Sequence, residues 1–221
     1  AWSMVASVIA LAIGLSWNPL LPPKQDVLVS VHRVADWQLA NPSKHKETDW
    51  TQAAFHTGLM AVSKLPDGAK YEKAMIEIGE RNLWRLGNRY FHADDHAVSQ
   101  AYIELYFKHR RPEMYTGLKA VADELLKQSH TESLEMKGSI CDREWAWCDA
   151  LFMSPPALAR LYKATGDVRY LDLMAKLFFR TTEYLYDKDE HLFYRDSRYF
   201  NQREANGQKV FWSRGNGWVL A

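Results

Sequence analysis

Two kinds of helical segment alternate along this chain, and that alternation limits the folds open to it. In the first kind, apolar residues recur every three to five positions, which is typical of an amphipathic helix with one wet face. These stripes are Val27, Val31, Val34 and Leu39; Tyr115, Leu118, Ala122 and Leu125; and Tyr170, Leu173, Leu177 and Thr181. In the second kind, residues 53–62, 97–107 and 150–162 are apolar on nearly every side. A helix without a polar face is buried on all sides, so the pattern predicts an all-α fold with inner and outer helices.

A loose internal repeat supports this interpretation. Similar turns follow the three apolar segments, at residues 67–71, 111–115 and 166–170, and each turn ends in a tyrosine. Tyr71, Tyr115 and Tyr170 lie 44 and 55 residues apart, which suits one helical hairpin per unit. Stacked hairpins form either an open solenoid or a closed toroid, and the periodicity does not choose between them. Strands are predicted only at 192–194 and 209–212, on either side of a polar loop containing Asn206 and Gly207.

Composition narrows the class of function. Lys plus Arg (28) nearly equals Asp plus Glu (27), so the chain has no excess positive charge for nucleic acid. Its nine Trp, eleven Tyr and nine Phe are an unusually large aromatic set, and some are expected to line a binding site. Cys141 and Cys148 match no metal or redox spacing, and we interpret them as free thiols, with a disulfide as the alternative.

The N-terminal residues carry the only targeting signal. Residues 4–15 form an apolar run of twelve, which is too short to span a bilayer but fits the core of a secretory signal. We predict a signal-like or N-terminal apolar segment at 1–25 and a catalytic domain at 26–221. The expected location is periplasmic or secreted, with a cytoplasmic protein as the alternative, and no membrane partner is expected.

Polar and aromatic residues of catalytic type collect at the starts of the apolar helices. If these starts meet at one rim, Asp149, Asp95, Trp147, Arg214 and Trp218 surround a single pocket suited to a carbohydrate. Each Asp is also a favoured helix cap; we predict that Asp94 caps its helix and that Asp95 faces the pocket. Asp149 lies among aromatic residues, which raises a carboxyl pKa and suits a general acid.

Two motifs resemble glycoside hydrolase family 105, which is related to family 88. They are WCDALFMSP at 147–155 and WSRGNGW at 212–218, and HADD at 92–95 and FHTG at 55–58 also fit. The similarity runs from about Asp26 to the last residue. It implies an (α/α)6 barrel, a toroid of six helical hairpins. About four of the six hairpins are expected in this chain, whose domain is therefore expected to be incomplete at its C-terminal end.

The resemblance also implies a reaction. Such enzymes remove a 4,5-unsaturated uronic acid from the non-reducing end of oligosaccharides that lyases release, for example from pectin or glycosaminoglycans. They do so by hydrating the C4=C5 enol ether. The matching general acid/base is Asp149, and the second carboxylate is Asp95, with the adjacent Asp94 as the alternative. The positions that match substrate-binding residues are Trp147, His191, Trp212, Arg214 and Trp218.

The resemblance implies no metal and no organic cofactor, and the only partner expected is the oligosaccharide. Two other classes stay open: a catalytically inactive carbohydrate-binding relative and another (α/α)6 sugar enzyme such as an epimerase. An epimerase needs histidine acid/base pairs, which the isolated His191 and His96 do not form in the sequence. The identity of the uronic acid, the sugar attached to it and the oligomeric state are not predicted.

Overall fold

The computed structural model describes residues 21–221. The predicted signal-like run at 4–15 lies outside the described residues. Within the described residues, no helix combines the length and the apolar character that crossing a bilayer requires. The chain divides after Pro42 into two compact units, which are described separately.

The first unit contains one described helix, α1 (Lys24–Ala40). Its N-cap residue is Pro23, and Asp26 lies in the first turn. The expected apolar stripe is not buried either: Val27 is 43% exposed and Val34 67% exposed, whereas Ala35 is buried.

The second unit, Ser43–Ala221, holds the remaining elements. Its helices are α2 (Trp50–Val62), α3 (Ala69–Arg81), α4 (Ala93–His96), α5 (Ser99–His109), α6 (Glu113–Leu126), α7 (Ala150–Met153), α8 (Pro155–Thr165), α9 (Val168–Leu185) and α10 (Ser213–Leu220). Its strands are β1 (Tyr186–Asp187) and β2 (Leu192–Phe193), and short 3₁₀ turns cover Ile140–Asp142 and Ser197–Tyr199. The all-α class is therefore confirmed.

Three helical hairpins organise this unit, as the repeat predicts. Helices α2 and α3, α5 and α6, and α8 and α9 pack in pairs, while α5 packs against both α2 and α8. Arg110 (φ 57°) and Gly166 (φ 75°) end α5 and α8 in the left-handed conformation that turns the chain back. Tyr71 and Tyr170, the tyrosines of two repeat turns, are fully buried. The repeated turns thus mark where each outer helix starts.

Burial of the inner helices is less complete than the sequence predicts. The first five residues of α5, 99–103, are all buried. In α2, however, Gly58 and Ala61 are exposed. The prediction that an apolar helix is buried all round therefore holds for the start of α5 and is wrong for α2.

A helix break at Ser154–Pro155 sets the geometry of the third hairpin. Helix α7 ends at Met153 and α8 begins at Pro155, because proline suits the first position of a helix and cannot continue one. Ser154 takes the N-cap position but makes no capping hydrogen bond. Its Oγ lies 2.8 Å from Nδ1 of buried His96 instead. This contact ties the break to the end of α4.

One small antiparallel hairpin interrupts the helices. Strand β2 confirms the strand predicted at 192–194, but its partner is β1, with Tyr186 opposite Phe193. The strand predicted at 209–212 is wrong: Lys209 forms only an isolated bridge with Arg203, and Trp212 is the N-cap residue of α10. Asn216 of α10 holds β2 through both backbone groups of Phe193, at 2.8 and 3.0 Å.

Candidate active site

Backbone contacts with a distant segment position Asp149. Trp147 forms an isolated antiparallel bridge with Asp196, and the Cys148 N–H donates to the Arg195 carbonyl at 2.9 Å. The chain then turns into α7, which Asp149 precedes. The Asp149 carboxyl makes no capping hydrogen bond to this short helix. The alternative that Asp149 serves only as a helix cap is therefore wrong.

The surroundings of Asp149 favour its protonated form. The residue is 8% exposed, and burial raises the pKa of its carboxyl above the ordinary value. The charges of Arg195 and Arg214 act in the opposite direction, as does the Cys148 thiol, whose Sγ lies 3.6 Å from Oδ2. The thiol itself stays neutral because burial raises the pKa of Cys148 to about 12. Asp149 thus combines the raised pKa that the sequence predicts with cations that stabilise its anion.

Asp94 is a second carboxyl group whose pKa is raised by its surroundings. Burial raises the pKa of Asp94 to about 7, and the negative charge of Asp149 contributes in the same direction. Two carboxyl groups that disfavour each other's ionisation hold a proton near neutral pH. The capping role predicted for Asp94 is wrong, because the N-cap residue of α4 is His92, whose Nδ1 accepts from the Asp94 N–H at 3.3 Å.

Asp95 has a different set of contacts. Its carboxylate accepts hydrogen bonds from the Arg89 side chain, at 2.5 Å from Nη2 to Oδ1, and from the Arg89 backbone N–H at 2.8 Å. Gly87 passes so close that a Cβ there would lie 2.3 Å from the Asp95 Cγ. The expectation that Asp95 is the unengaged inward carboxylate is wrong: Arg89 neutralises it, and Asp95 holds the loop before α4. Of the two candidates for the second carboxylate, the contacts favour Asp94.

A stack of cations and indole lies at the start of α10. The guanidinium carbon of Arg214 is 4.5 Å from the Trp212 ring centroid, and that of Arg195 is 5.7 Å from it. Arg195 also pairs with Asp196 at 2.5 Å. Arg214 is exposed and has no acidic partner within residues 21–221. A planar guanidinium fork without a partner, held on an aromatic ring beside Asp149, suits a ligand carboxylate.

The other two predicted tryptophans lie near the two carboxyl groups. Trp147 is buried, and its ring centroid is 4.8 Å from that of His92, the residue that caps the helix of Asp94. Trp218 packs its ring 4.7 Å from Phe152, in the helix that follows Asp149. The Nε1 of Trp218 is buried without a hydrogen-bond partner in the described structure. Both rings form apolar walls beside the acids.

His191 stands apart from these residues. It lies in the turn between β1 and β2, at φ 56°, and is exposed. Its Nδ1 is 3.2 Å from the Tyr186 hydroxyl. The structure shows no contact between His191 and either Asp149 or Asp94, and the link runs indirectly through β2 and Asn216. Its substrate-binding role stays a prediction.

Buried His96 and buried His56 differ in their hydrogen bonding. His96 has both ring nitrogens bonded, to Ser154 Oγ and to the Tyr90 carbonyl, and burial lowers its pKa to about 4. Burial likewise lowers the pKa of His56 to about 4, although its Nδ1 has no partner in the described structure. His96 is thus unavailable as the acid or base that an epimerase requires. Residues 21–221 contain no group of three side chains arranged to hold a metal ion.

Sequence reasoning missed three contributors to this site. Arg195 has no motif around it, and it reaches Asp149 only because its backbone pairs with Cys148. Arg89 is likewise recognised only through its contact with Asp95. The prediction that Cys148 is a free thiol is confirmed, but the sequence does not predict its contact with Asp149. A local signal did exist for Cys148, since it is the neighbour of the predicted acid.

Comparisons with known proteins show the family to which the chain belongs. The profile described as Glycosyl Hydrolase Family 88 matches residues 28–221. A curated relative, the unsaturated 3S-rhamnoglycuronyl hydrolase of Alteromonas sp. (strain LOR), is 34% identical over 227 residues. The match covers 90% of this chain and 55% of the relative, so the chain spans about half the length of that protein.

Solved structures show the same fold. A glycosyl hydrolase family 88 protein from Bacteroides vulgatus matches with a TM-score of 0.70 and 24% identity, over 90% of this chain and 59% of the other. A polysaccharide lyase matches with a TM-score of 0.75 and 24% identity, over 89% and 57%. The family 88 neighbours are (α/α)6 toroids, which confirms the predicted toroid over the solenoid. With its profile matched from residue 28 to the last residue, the chain belongs to glycosyl hydrolase family 88.

Proposed function

We propose that this protein removes a 4,5-unsaturated uronic acid from the non-reducing end of an oligosaccharide by hydrating its C4=C5 double bond. One observation carries the proposal. Two carboxyl groups with raised pKa, Asp149 and Asp94, lie beside a stacked arginine that lacks an acidic partner in the described structure. The curated relative bears a name of the same kind, an unsaturated 3S-rhamnoglycuronyl hydrolase.

The chemistry of the substrate requires the two carboxyl groups and the stacked arginine. Protonating carbon needs an acid that keeps its proton near neutral pH, and burial raises the pKa of the Asp149 carboxyl in that direction. Protonation at C4 leaves positive charge shared by C5 and the ring oxygen, which a nearby carboxylate stabilises. Water then adds at C5 and gives a hemiketal. When the hemiketal opens, C5 becomes a ketone and C1 expels the attached sugar as its alcohol.

The residues divide this work as follows. Asp149 delivers its proton to C4. Asp94 then shares with Asp149 the one proton and the negative charge that the pair of carboxyl groups retains. Arg214, stacked on Trp212, binds the carboxylate of the unsaturated sugar through its two parallel N–H groups. This pairing also places an anion next to Asp149 and opposes its ionisation, so substrate binding keeps the acid protonated.

An absorbance assay tests the proposal. The conjugated acid of an unsaturated disaccharide absorbs in the ultraviolet, and hydration removes that absorbance. We expect the protein to remove it. Absorbance that appears with a saturated oligosaccharide would instead indicate a lyase, and binding without any change would indicate an inactive relative; either outcome contradicts the proposal.

Variants at the two carboxyl groups assign the roles. We expect Asp149→Asn to lower kcat by about a thousandfold or more while disaccharide binding, measured by titration calorimetry, persists. Asp94→Asn should also lower kcat strongly. The matched control is Asp172→Asn, an exposed position on the outer helix α9, which should leave kcat unchanged. An Asp149→Asn variant that keeps most of its activity would rule out the assigned acid.

A further inference from the structure

Two carbonyl groups at the end of α7 lose their helical partners. In a continuous helix the Phe152 carbonyl would accept from the N–H of residue 156, but Pro156 has no N–H. The N–H of Ala157, which would serve the Met153 carbonyl, donates to the Ser154 carbonyl at 3.0 Å instead. The helix break therefore leaves two carbonyls that need a donor from another part of the protein.

A single side chain of α5 supplies both donors. Gln100 lies in the first turn of α5 and is 4% exposed. Its Nε2 donates to the Phe152 carbonyl at 2.7 Å and to the Met153 carbonyl at 3.2 Å. A primary amide carries two N–H groups, so one glutamine can satisfy both carbonyls. Gln100 thus replaces the backbone hydrogen bonds that the break removes.

A second link to the break runs from His96 to Ser154, and its direction is fixed. Nε2 of His96 lies 2.7 Å from the Tyr90 carbonyl, which can only accept, so Nε2 carries a proton. Burial lowers the pKa of His96 to about 4, so the ring is neutral near pH 7 and Nδ1 is an acceptor. The Ser154 hydroxyl therefore donates to Nδ1, at 2.8 Å.

Both links begin close to one acid and end close to the other. They start two and six residues after Asp94. Across the break, the N–H groups of Phe152 and Met153 donate to the Asp149 carbonyl at 2.9 and 3.2 Å. The carbonyls of the same two residues accept from Gln100. The single turn of α7 is therefore held between Asp149 and α5.

The spacing of the two carboxyl groups controls how they share a proton. Burial raises the pKa of Asp94 to about 7, and the charge of Asp149 contributes in the same direction. The repulsion between two like charges falls as they separate, so a looser α7 would weaken this contribution. Other elements place the remaining groups that act on the pair, which are Arg89, Asp95 and Asp49 at Asp94, and Arg195, Cys148 and Arg214 at Asp149.

We propose that Gln100, His96 and Ser154, here called the α7 brace, are positioning residues that hold Asp149 at a fixed distance from Asp94. The brace acts through the two acids and not on the sugar. It rests on the proposed function, because it positions the acid pair of that reaction. Displacing a catalytic group by about 1 Å lowers a rate by as much as about a hundredfold, so the brace matters for turnover.

Gln100→Met tests the first link, because methionine has a similar length and no N–H donor. We expect kcat for an unsaturated disaccharide to fall about tenfold with little change in KM, since the acid is displaced while the sugar contacts remain. The alkaline fall of kcat/KM should also move to lower pH. Its cause is that Asp94 loses its proton more easily when the charge of Asp149 acts on it less.

Ser154→Ala tests the second link with a smaller change, and it covers the case that Gln100→Met does not fold. Alanine removes the hydroxyl donor to His96 and leaves the backbone of the break unaltered. The alkaline fall of kcat/KM should move to lower pH here too. An unmoved fall would overturn the part of the brace assigned to His96 and Ser154.

Gln52→Met is the matched control. Gln52 is 5% exposed, and its Nε2 also approaches two backbone carbonyls, those of Ser43 and His45, at 3.3 and 3.4 Å. It contacts neither α4 nor α7 through these bonds, so the alkaline fall should stay in place. A Gln100→Met profile that falls in height without moving, or an equal shift in Gln52→Met, would overturn the brace and leave the hydrolase function standing. Failure of the unaltered protein to consume the disaccharide would instead contradict the proposed function, and the catalytic role of the brace with it.

Discussion

At the scale of single residues, the site depends on how each carboxyl group is bound. Asp94 and Asp95 are adjacent and chemically identical, yet Arg89 holds Asp95 while Asp94 responds to Asp149. The difference arises because successive residues of a helix point about 100° apart. One side chain therefore meets the loop before α4 and the other meets the acid. The motif at 92–95 could locate the pair, but not divide its roles.

The contact between Cys148 and Asp149 predicts a change in the pH profile. The thiol donates to Oδ2 and so stabilises the ionised carboxylate, which lowers the pKa of Asp149 relative to a site without that donor. Cys148→Ala should therefore raise this pKa and move the alkaline fall of kcat/KM to higher pH. Rate measurements across pH with an unsaturated disaccharide check the shift.

A second variant separates this effect from a loss of packing. Cys148→Ser restores a hydrogen-bond donor at the same place and should return the alkaline limb toward its original position. Cys141→Ala is the matched control, since Cys141 contacts Met136 rather than an acid. A Cys148→Ala profile that falls in height without moving along the pH axis would show that the thiol only fills space.

At the scale of elements, the helices follow local rules and the loops between them do not. The repeated turns mark the starts of the outer helices α6 and α9, and Pro155 marks the break before α8. Helix periodicity involves residues three or four apart, so the sequence displays it directly. The pairing of β2 depends instead on the position of Tyr186 in β1 and on the turn that joins the two strands. The alternating pattern at 209–212 predicts a strand that does not form.

Substitution by alanine should have opposite effects on stability at Gly87, in the loop before α4, and at Gly58, in α2. A Cβ at Gly87 would lie 2.3 Å from the Asp95 Cγ, so Gly87→Ala should displace Asp95 and lower the free energy of unfolding by about 2 kcal/mol. A Cβ at Gly58, in helix α2, meets nothing within 4 Å. Gly58→Ala should instead raise the free energy of unfolding by about 0.5–1 kcal/mol, because alanine favours the helix.

Urea unfolding of the two alanine variants measures both effects. If Gly87→Ala matches the unaltered protein in stability, the close approach of this loop to Asp95 does not exist in solution.

At the scale of the whole second unit, a buried charge network anchors the long segment that leads to the acid. Glu144 is 2% exposed and accepts from Arg180 of α9 at 2.7 Å and from the Glu132 backbone N–H at 3.0 Å. Nδ1 of buried His130 lies 3.4 Å from the same carboxylate. Arg180 also donates to the Glu132 carbonyl. The segment between α6 and α7 is thus fixed to an outer helix five residues before Asp149.

This network predicts a pH-dependent loss of stability. Burial alone would raise the pKa of Glu144, but His130 and Arg180 hold it below the ordinary value. Arg180→Met removes the main counter-charge and should cost about 3 kcal/mol near neutral pH, where the carboxylate stays ionised and buried. The cost should shrink toward pH 4, because the variant's Glu144 can then take up a proton, whereas in the unaltered protein its contribution persists until pH falls through the lowered pKa.

Chemical unfolding of both proteins at several pH values checks this trend. Arg169→Met, on the same helix, removes an arginine whose partner Asp167 is at the surface, and it should change stability little at any pH. A loss in the Arg180 variant that is the same at pH 4 and pH 7 would show that Arg180 acts through packing rather than charge.

The sequence by itself determined the helical hairpins, the all-α class, the two tryptophan-bearing motifs and the resemblance that the family profile confirms. These depend on helix periodicity, turn chemistry and residue identity, which are local. The tertiary structure brought Asp94 within range of the charge of Asp149, bound Asp95 to Arg89, and brought Arg195 to Asp149 from 46 positions further along the chain. Charge and burial are properties of contacts between distant residues, because a carboxyl group's pKa depends on what surrounds it in space and not on its neighbours in the chain.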